Sequence, residues 1–146
     1  MTALLDRPTD TDAFARAMSS RPFSMPVAPS ILIADDDDEV RDVIEYRLQV
    51  AGFRTLTADN GRSALTLAVE RRPQVIILDV TMPQLDGLTV CAELHNSAAT
   101  AEIPVLMISG TAEPSRLLAA GADDFLPKPF SSREMMRRVN WLLLSS

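Results

Sequence analysis

The chain has 146 residues, enough for one domain and an additional segment, and 47% of them are hydrophobic, as in globular proteins. Its formal net charge of -6 is the opposite of a nucleic-acid-binding surface, so direct binding to DNA or RNA is not expected. The sequence has a single cysteine, no apolar run that could span a bilayer and no hydrophobic signal segment, so we expect a cytoplasmic protein without disulfides or membrane contact.

Residues 1–29 differ in composition from the rest of the chain. Prolines and serines interrupt them repeatedly, which is typical of an extension or linker. Apolar residues at helical spacing favour a short helix at 10–19 within this segment. Because so short a helix is marginal on its own, we expect docking or self-association through Phe14 and Met18.

Residues 30–146 alternate short apolar runs with amphipathic segments, which indicates a single domain. In chain order the predicted elements are strand Ile31–Ala34, helix Val40–Ala51, strand Phe53–Ala58, helix Ala64–Val69, strand Val75–Leu78, helix Leu88–Leu94, strand Ile103–Ile108, helix Leu117–Ala120, strand Phe125–Leu126 and helix Met135–Leu143. Strands that are apolar throughout are typical of sheets buried on both faces. We therefore predict an α/β fold with a doubly wound, five-stranded parallel sheet and helices on both sides.

The ends of these elements carry their own signals. Gly52 and Gly121 are predicted to end helices, and Asn60-Gly61 is predicted to turn the chain. Ser131 with a glutamate three residues later predicts a capping box at the start of the last helix.

Polar side chains follow four of the five predicted strands. The residues at those ends are Asp35, Asp36, Asp79, Ser109 and Lys128. Because the carboxyl ends of parallel strands share one edge of the sheet, we expect these side chains to meet in one crevice. Lys128 is the only lysine among 14 basic residues, which indicates a position that needs a compact, flexible ammonium group.

The predicted crevice brings together Asp35, Asp36 and Asp79. Two carboxylates about 4 Å apart repel by ~4 kcal/mol at an effective dielectric of 20, so the group must take up protons or bind a cation. Oxygen ligands suit Mg2+, with Mn2+ as a substitute. A bound cation would leave Asp79 ionised and able to attack a phosphoryl group, whose oxygens Ser109 and Lys128 could contact.

The sequences ILIADDDDEVR, IILDVTMPQLDG, PVLMISG and GADDFLPKPF occur in this order. With them the chain resembles the receiver domain of two-component response regulators from about Ile31 to Leu144. The resemblance implies a flavodoxin-like (βα)5 fold with Asp79 as the phosphoacceptor. It also implies that Asp36 is a direct Mg2+ ligand and that Asp35 supports it.

The same resemblance implies further roles near the site. Thr81 would lend its backbone carbonyl to the metal, and Lys128 would contact the phosphate. Ser109 would also contact the phosphate and would form the switch pair with Phe125. The Lys128–Pro129 peptide bond is expected in cis.

The function that the resemblance implies is a phosphoacceptor regulator of bacterial two-component signalling. Its donor would be a phosphohistidine on a sensor histidine kinase or a histidine phosphotransfer protein, and its output would be docking on a downstream protein effector. The only chemistry expected of it is self-catalysed phosphotransfer and slow autodephosphorylation, so it is not classed as an enzyme.

Three features depart from the family pattern. Ser109 stands where the family more often has threonine, and Phe125 stands where it often has tyrosine. The stretch between Ser109 and Lys128 is a few residues short, and the missing residues fall in the fourth helix. The shortening argues against the family's common dimer mode.

Two other functions are compatible with parts of the sequence. One is a receiver-like binding module that signals without phosphate. The other is a haloacid-dehalogenase-like phosphatase, because Asp35 to Asp37 offer a nucleophile and a second acid two residues later.

Several residues near these motifs are interpreted as structural. Asp37–Glu39 and Asp86 are read as helix starts, where negative charge suits the helix dipole. Asp123 and Asp124 are read as solvated loop acids, and Trp141 as a packing residue.

Overall fold

The structure is a computed structural model that describes residues 28–111 and 114–145. The expected helix at 10–19, with Phe14 and Met18, lies outside the described residues. The strands are β1 (Ser30–Ala34), β2 (Arg54–Ala58), β3 (Val75–Asp79), β4 (Val105–Ser109) and β5 (Asp124–Pro127). The helices are α1 (Asp38–Val50), α2 (Gly61–Arg71), α3 (Gly87–Asn96), α4 (Pro114–Ala119) and α5 (Ser132–Ser145).

The five strands form one parallel sheet in the order β2-β1-β3-β4-β5, so the predicted fold class is confirmed. The strand order reverses between β1 and β3, which is where ligands bind in sheets of this kind. Asp79 pairs with Ile108 and Ser109 with Pro127, so β3, β4 and β5 end close together at the same edge.

Each face of the sheet has its own core. Side chains of β1 and β3 alternate between the faces, with Leu32 and Ile76 on one and Ile31 and Val75 on the other. The first face packs against α2, α3 and α4, and the second packs against α1 and α5. Burial of both faces explains the apolar runs in the sequence, because each buried Leu, Ile or Val contributes ~1.5–3 kcal/mol.

Side-chain caps begin α1, α2 and α3. Asp37 caps α1 through the backbone N–H groups of Glu39 and Val40, and Asp86 caps α3 through that of Thr89. The chain bends at Asp59 and Asn60, as the Asn60-Gly61 pair predicts, and leads directly into α2 with Asn60 as its cap. The Asn60 side chain accepts a hydrogen bond from the backbone N–H of Ser63, which is the pattern of a helix start.

Helix ends follow the glycine signals. Gly52 and Gly121 have φ values of +97° and +103°, in the left-handed region where a glycine costs little, just after α1 and α4. At the start of α5, Ser131 Oγ accepts a hydrogen bond from the backbone N–H of Glu134 at 3.0 Å, which is one half of the predicted capping box.

Two predictions for residues in or next to α5 were wrong. Trp141 is 63% exposed, because the buried stripe of this helix runs through Val139 and Leu142 and leaves the indole outside it. Asp124 is not a solvated loop acid, since its carboxylate pairs with Arg138 at 2.7 Å. Asp123 is exposed, but one of its carboxylate oxygens accepts a hydrogen bond from the first N–H of β4.

Among residues 28–111 and 114–145, none of the helices combines the length and the apolar character needed to cross a bilayer.

Candidate functional site

Two buried carboxylates lie at the carboxyl ends of the central strands. Asp79 is the last residue of β3, and Asp35 directly follows β1. Asp35 is fully buried and Asp79 is 5% exposed. The backbone N–H of Asp35 donates to Ala58, and its carboxylate accepts from the N–H of Asp37 at 2.9 Å. The sheet and the loop after β1 therefore fix the position of Asp35 on both sides.

Asp36 completes an acidic cluster with these two residues. Asp35, Asp36 and Asp79 each offer a carboxylate oxygen, and the three oxygens lie within 4.8 Å of one another. Asp36 is exposed, so the cluster opens to solvent on one side. Carboxylates at this spacing fit a hard divalent cation that keeps some of its water ligands, because they supply anionic oxygens and leave part of the coordination sphere free.

Lys128 contacts both buried acids. Its Nζ lies 3.3 Å from Oδ2 of Asp35 and 3.3 Å from Oδ1 of Asp79. The side chain is 27% exposed, so the ammonium also borders solvent. The following peptide bond, Lys128–Pro129, is cis, the isomer that the resemblance implies. One positive charge thus faces two buried negative charges.

The charges in the crevice change the proton affinities of its members. The pKa of Asp79 is raised to about 6, chiefly by burial and also by the charge of Asp35, while Lys128 opposes the shift. For Lys128, burial lowers the pKa, but the charges of Asp79 and Asp35 outweigh this and leave it above the ordinary value. Lys128 is therefore held in its charged form, and Asp79 binds a proton more readily than an ordinary aspartate does.

Ser109 lies at the end of β4, beside the acids. It is 6% exposed, and its Oγ accepts a hydrogen bond from the N–H of Thr111 at 3.1 Å. Its carbonyl accepts from the N–H of Lys128 at 2.9 Å. The backbones that carry the hydroxyl and the ammonium are therefore joined directly.

Thr81 and Phe125 lie on segments that lead away from or toward the site. Thr81 is exposed and lies two residues after Asp79 in the loop that leads to α3. Phe125 is half-buried in β5, opposite Met107, and packs against the core cluster of the α2–α4 face. The metal role of the Thr81 carbonyl and the switch role of Phe125 stay predictions.

Two residues support the crevice in ways that were not predicted from the sequence. The Nη1 group of Arg41 in α1 donates to the carbonyl of Asp35 at 2.8 Å. Gly87 begins α3 so close to β3 that a Cβ would lie 2.1 Å from the carbonyl oxygen of Asp79. The spacing of the acidic residues does not indicate that Arg41 contacts Asp35. The Asp86-Gly87 pair indicates a helix start, but not that α3 lies so close to β3.

An acidic cluster at the switch point of a five-stranded parallel sheet, with a lysine bridging two of its acids, defines a receiver-type domain. Residues 31–140 match the family model of the response regulator receiver domain. The chain belongs to this family. Membership removes the basis for the haloacid-dehalogenase-like alternative, since the acidic motif is that of a receiver.

Curated relatives share the domain but are longer. The DNA-binding dual master transcriptional regulator RpaA of Synechocystis is 41% identical over 118 residues, which are 79% of this chain and 49% of the relative. The response regulator MprA of Mycolicibacterium vanbaalenii is 41% identical over 122 residues, 82% of this chain and 51% of the relative. The chain spans about half the length of the curated relatives it matches.

Solved structures of receiver domains superpose closely. A response regulator from Chloroflexus aurantiacus has a TM-score of 0.77 and 34% identity, covering 81% of this chain and 99% of that one. The receiver domain of a sensor histidine kinase from Pseudomonas aeruginosa has a TM-score of 0.75 and 27% identity, covering 80% and 98%. That domain was solved with a magnesium ion coordinated in its active site cleft.

Proposed function

We propose that this chain is a phosphoacceptor signalling switch in which Asp79 receives a phosphoryl group from a phosphohistidine. The observation that carries the proposal is the bridging position of Lys128, with Nζ 3.3 Å from both Asp35 and Asp79 inside the acidic cluster. A structural salt bridge needs one acid and one base. Two buried acids facing one ammonium leave a negative site with a cation still to be supplied.

The donor set supports Mg2+, or Mn2+ in its place, held by the carboxylates of Asp35, Asp36 and Asp79 with the carbonyl of Thr81 as a further ligand. When bound, the cation would neutralise phosphoryl oxygens and keep the acceptor ionised. A Pseudomonas relative carries magnesium in the corresponding cleft, which supports the choice of metal.

The other steps of the phosphoryl transfer are assigned to side chains of the protein itself. An Oδ atom of Asp79 forms the new bond to phosphorus while the N–P bond of the phosphohistidine breaks and its electron pair returns to the imidazole. Lys128 is placed to pair with one phosphoryl oxygen, and the hydroxyl of Ser109 to donate to another. The result is an aspartyl phosphate bound by groups that already line the crevice.

We propose that phosphorylation of Asp79 rearranges Ser109 and Phe125. Movement of the Ser109 hydroxyl toward the phosphate would open space at the end of β4, and the half-buried Phe125 ring would turn inward to fill it. Such a change needs the phosphate to favour one arrangement by several kcal/mol. The consequence would be altered docking of a protein effector.

The proposed partners are a sensor histidine kinase or a histidine phosphotransfer protein as donor and a protein effector as target. The family's regulators and the kinase-derived relative support this assignment. The expectation that this chain makes no direct contact with nucleic acid stays a prediction, as does the cytoplasmic location.

Labelling by acetyl phosphate tests the proposal. We expect the wild type to incorporate phosphate in the presence of Mg2+ and to lose incorporation in EDTA. Asp79→Asn is expected to abolish labelling, because the amide is not a nucleophile of comparable strength. Asp42→Asn, which changes an exposed acid on α1, is the matched control and should label like the wild type. Equal labelling of Asp79→Asn would overturn the proposal.

A further inference from the structure

The loop between β1 and α1 carries Asp36, the exposed member of the acidic cluster. Asp35 and Asp79 are buried at strand ends, but the direction of the Asp36 carboxylate depends on the loop backbone. The peptide unit that joins Asp35 to Asp36 is planar, so the orientation of the Asp35 carbonyl also sets the orientation of the Asp36 N–H and Cα. A group that holds this carbonyl therefore holds the start of Asp36.

Arg41 is that group. Its Nη1 donates to the Asp35 carbonyl at 2.8 Å, and its Nη2 pairs with the carboxylate of Asp38, the first residue of α1. The two contacts lie on either side of Asp36 in the sequence. The arginine side chain is only 16% exposed although Asp38 is 80% exposed, so the guanidinium lies against the loop while its partner acid faces solvent.

Hydrogen bonds between residues of the β1–α1 loop and its neighbours also hold this loop. The N–H of Asp37 donates to Oδ1 of Asp35 at 2.9 Å, and the carboxylate of Asp37 caps α1. These bonds fix both ends of the loop but do not involve the Asp35 carbonyl. The fork of a guanidinium has donors in fixed geometry, so it can hold a carbonyl and a carboxylate at a set angle.

We propose that Arg41 is a positioning residue for the metal site: it clamps the β1–α1 loop so that the carboxylate of Asp36 faces those of Asp35 and Asp79. The proposal rests on the proposed function, since it concerns the affinity of the same site for a divalent cation. Arg41 itself is not a ligand, because a guanidinium has no acceptor atom.

The sign of the effect separates positioning from simple charge. Arg41 is a positive charge beside an anionic site, so electrostatics alone predict that removing it strengthens Mg2+ binding. A positioning role predicts the reverse, and groups that orient metal ligands typically change metal affinity by about 10–100-fold when they are replaced. We therefore expect Arg41→Gln to weaken Mg2+ binding about tenfold.

The experiment is calorimetric titration of the full chain with MgCl2. Arg47→Gln is the matched control, because Arg47 is an exposed arginine in the last turn of the same helix and its replacement removes the same charge. Arg41→Lys, which keeps the charge and loses the fork, should also bind Mg2+ more weakly, and it carries the test if Arg41→Gln does not fold. Unchanged or tighter binding by the Arg41 variants overturns the proposal.

Hydrogen exchange in EDTA gives a second readout that needs no metal. We expect the Asp37 amide to exchange faster in Arg41→Gln than in the wild type and to be unchanged in Arg47→Gln. Unchanged exchange in Arg41→Gln would overturn the clamp. If the wild type failed to bind Mg2+ at all, the proposed function would fail, and the exchange data would still decide whether Arg41 orders the loop.

Discussion

Lys128 and Asp79 form an ion pair with Nζ 3.3 Å from Oδ1, and the same ammonium lies 3.3 Å from Asp35. The chain thus places one base between two acids that are almost completely buried. An arrangement optimised for stability alone would match the charges one to one, because buried charges without a partner are costly. The excess negative charge is therefore a feature of the site's function, and its cost to the metal-free fold can be measured.

Replacement of Lys128 by Gln should destabilise the metal-free protein, and more so at high pH. Lys128 lowers the pKa of Asp79, so without its ammonium this pKa rises above the present value of about 6. A carboxyl group whose pKa is raised by folding stabilises the folded state only while it is protonated. The stability of the variant therefore falls as the pH rises through the raised pKa of Asp79. We expect a loss of ~1–3 kcal/mol in urea unfolding at pH 8 in EDTA, and a smaller loss at pH 5. An equal loss at both pH values would contradict this account, and Arg47→Gln serves as the charge control.

Replacement of Asp79 by Asn should stabilise the metal-free protein at pH 8. The folded pKa of about 6 exceeds the reference value of 3.8, so the protonated acid contributes stability that is present below about pH 4 and is lost as the pH rises through 6. This shift in pKa corresponds to at most ~3 kcal/mol of stability. We expect Asp79→Asn to raise the free energy of unfolding in urea by ~1–3 kcal/mol. The gain should vanish near pH 4 and shrink when Mg2+ is added to both proteins, since only the wild type keeps its full ligand set.

The parts of the site that were predictable share one physical origin. Strands buried on both faces must be apolar, so a polar residue at the end of such a run, such as Asp79 after β3, marks the edge of the sheet. Parallel pairing then brings the ends of different strands together without any further information. The neighbouring positions of Asp35 and Asp79 follow from these two facts.

Contacts that depend on side chains folding back could not be predicted in the same way. Arg41 reaches the Asp35 carbonyl only because the loop after β1 turns into α1, and the sequence gives no sign of where a long side chain points. Similarly, the pairing of Asp124 with Arg138 joins β5 to α5 across the structure. Trp141 failed as a packing prediction because one residue of rotation along a helix separates a buried position from an exposed one.

Removal of the Ser109 hydroxyl should separate phosphate binding from the response of β5. We expect Ser109→Ala to form a complex with beryllofluoride and Mg2+, because the cluster and Lys128 remain. The backbone amide shift of Phe125 that accompanies complex formation in the wild type should be largely lost. NMR titration measures both, with shifts near Asp79 reporting binding and those at Phe125 reporting the switch. A full Phe125 response in Ser109→Ala would show that the hydroxyl is not part of the coupling.

Gly87 offers a steric test of how α3 positions the acceptor. Its N–H donates to the Val80 carbonyl at 2.7 Å, and an added Cβ would lie 2.1 Å from the carbonyl oxygen of Asp79, so the backbone must shift. Overpacking of this kind typically costs ~1–3 kcal/mol, and here it displaces the strand end that carries Asp79. We expect Gly87→Ala to lose ~2–3 kcal/mol in urea unfolding and most of its acetyl phosphate labelling.

The matched control for this substitution is Gly110→Ala, on the other side of the crevice. A Cβ at Gly110 would meet only the Cβ of Lys128 at 3.7 Å, which is ordinary van der Waals contact. Its stability should therefore change by less than ~0.5 kcal/mol, as is usual for a substitution that creates no clash or cavity. If both variants unfolded alike, the loss in Gly87→Ala would reflect general sensitivity of the loops around the crevice. If only Gly87→Ala lost stability and labelling, the close approach of α3 to β3 would be what holds Asp79 in place.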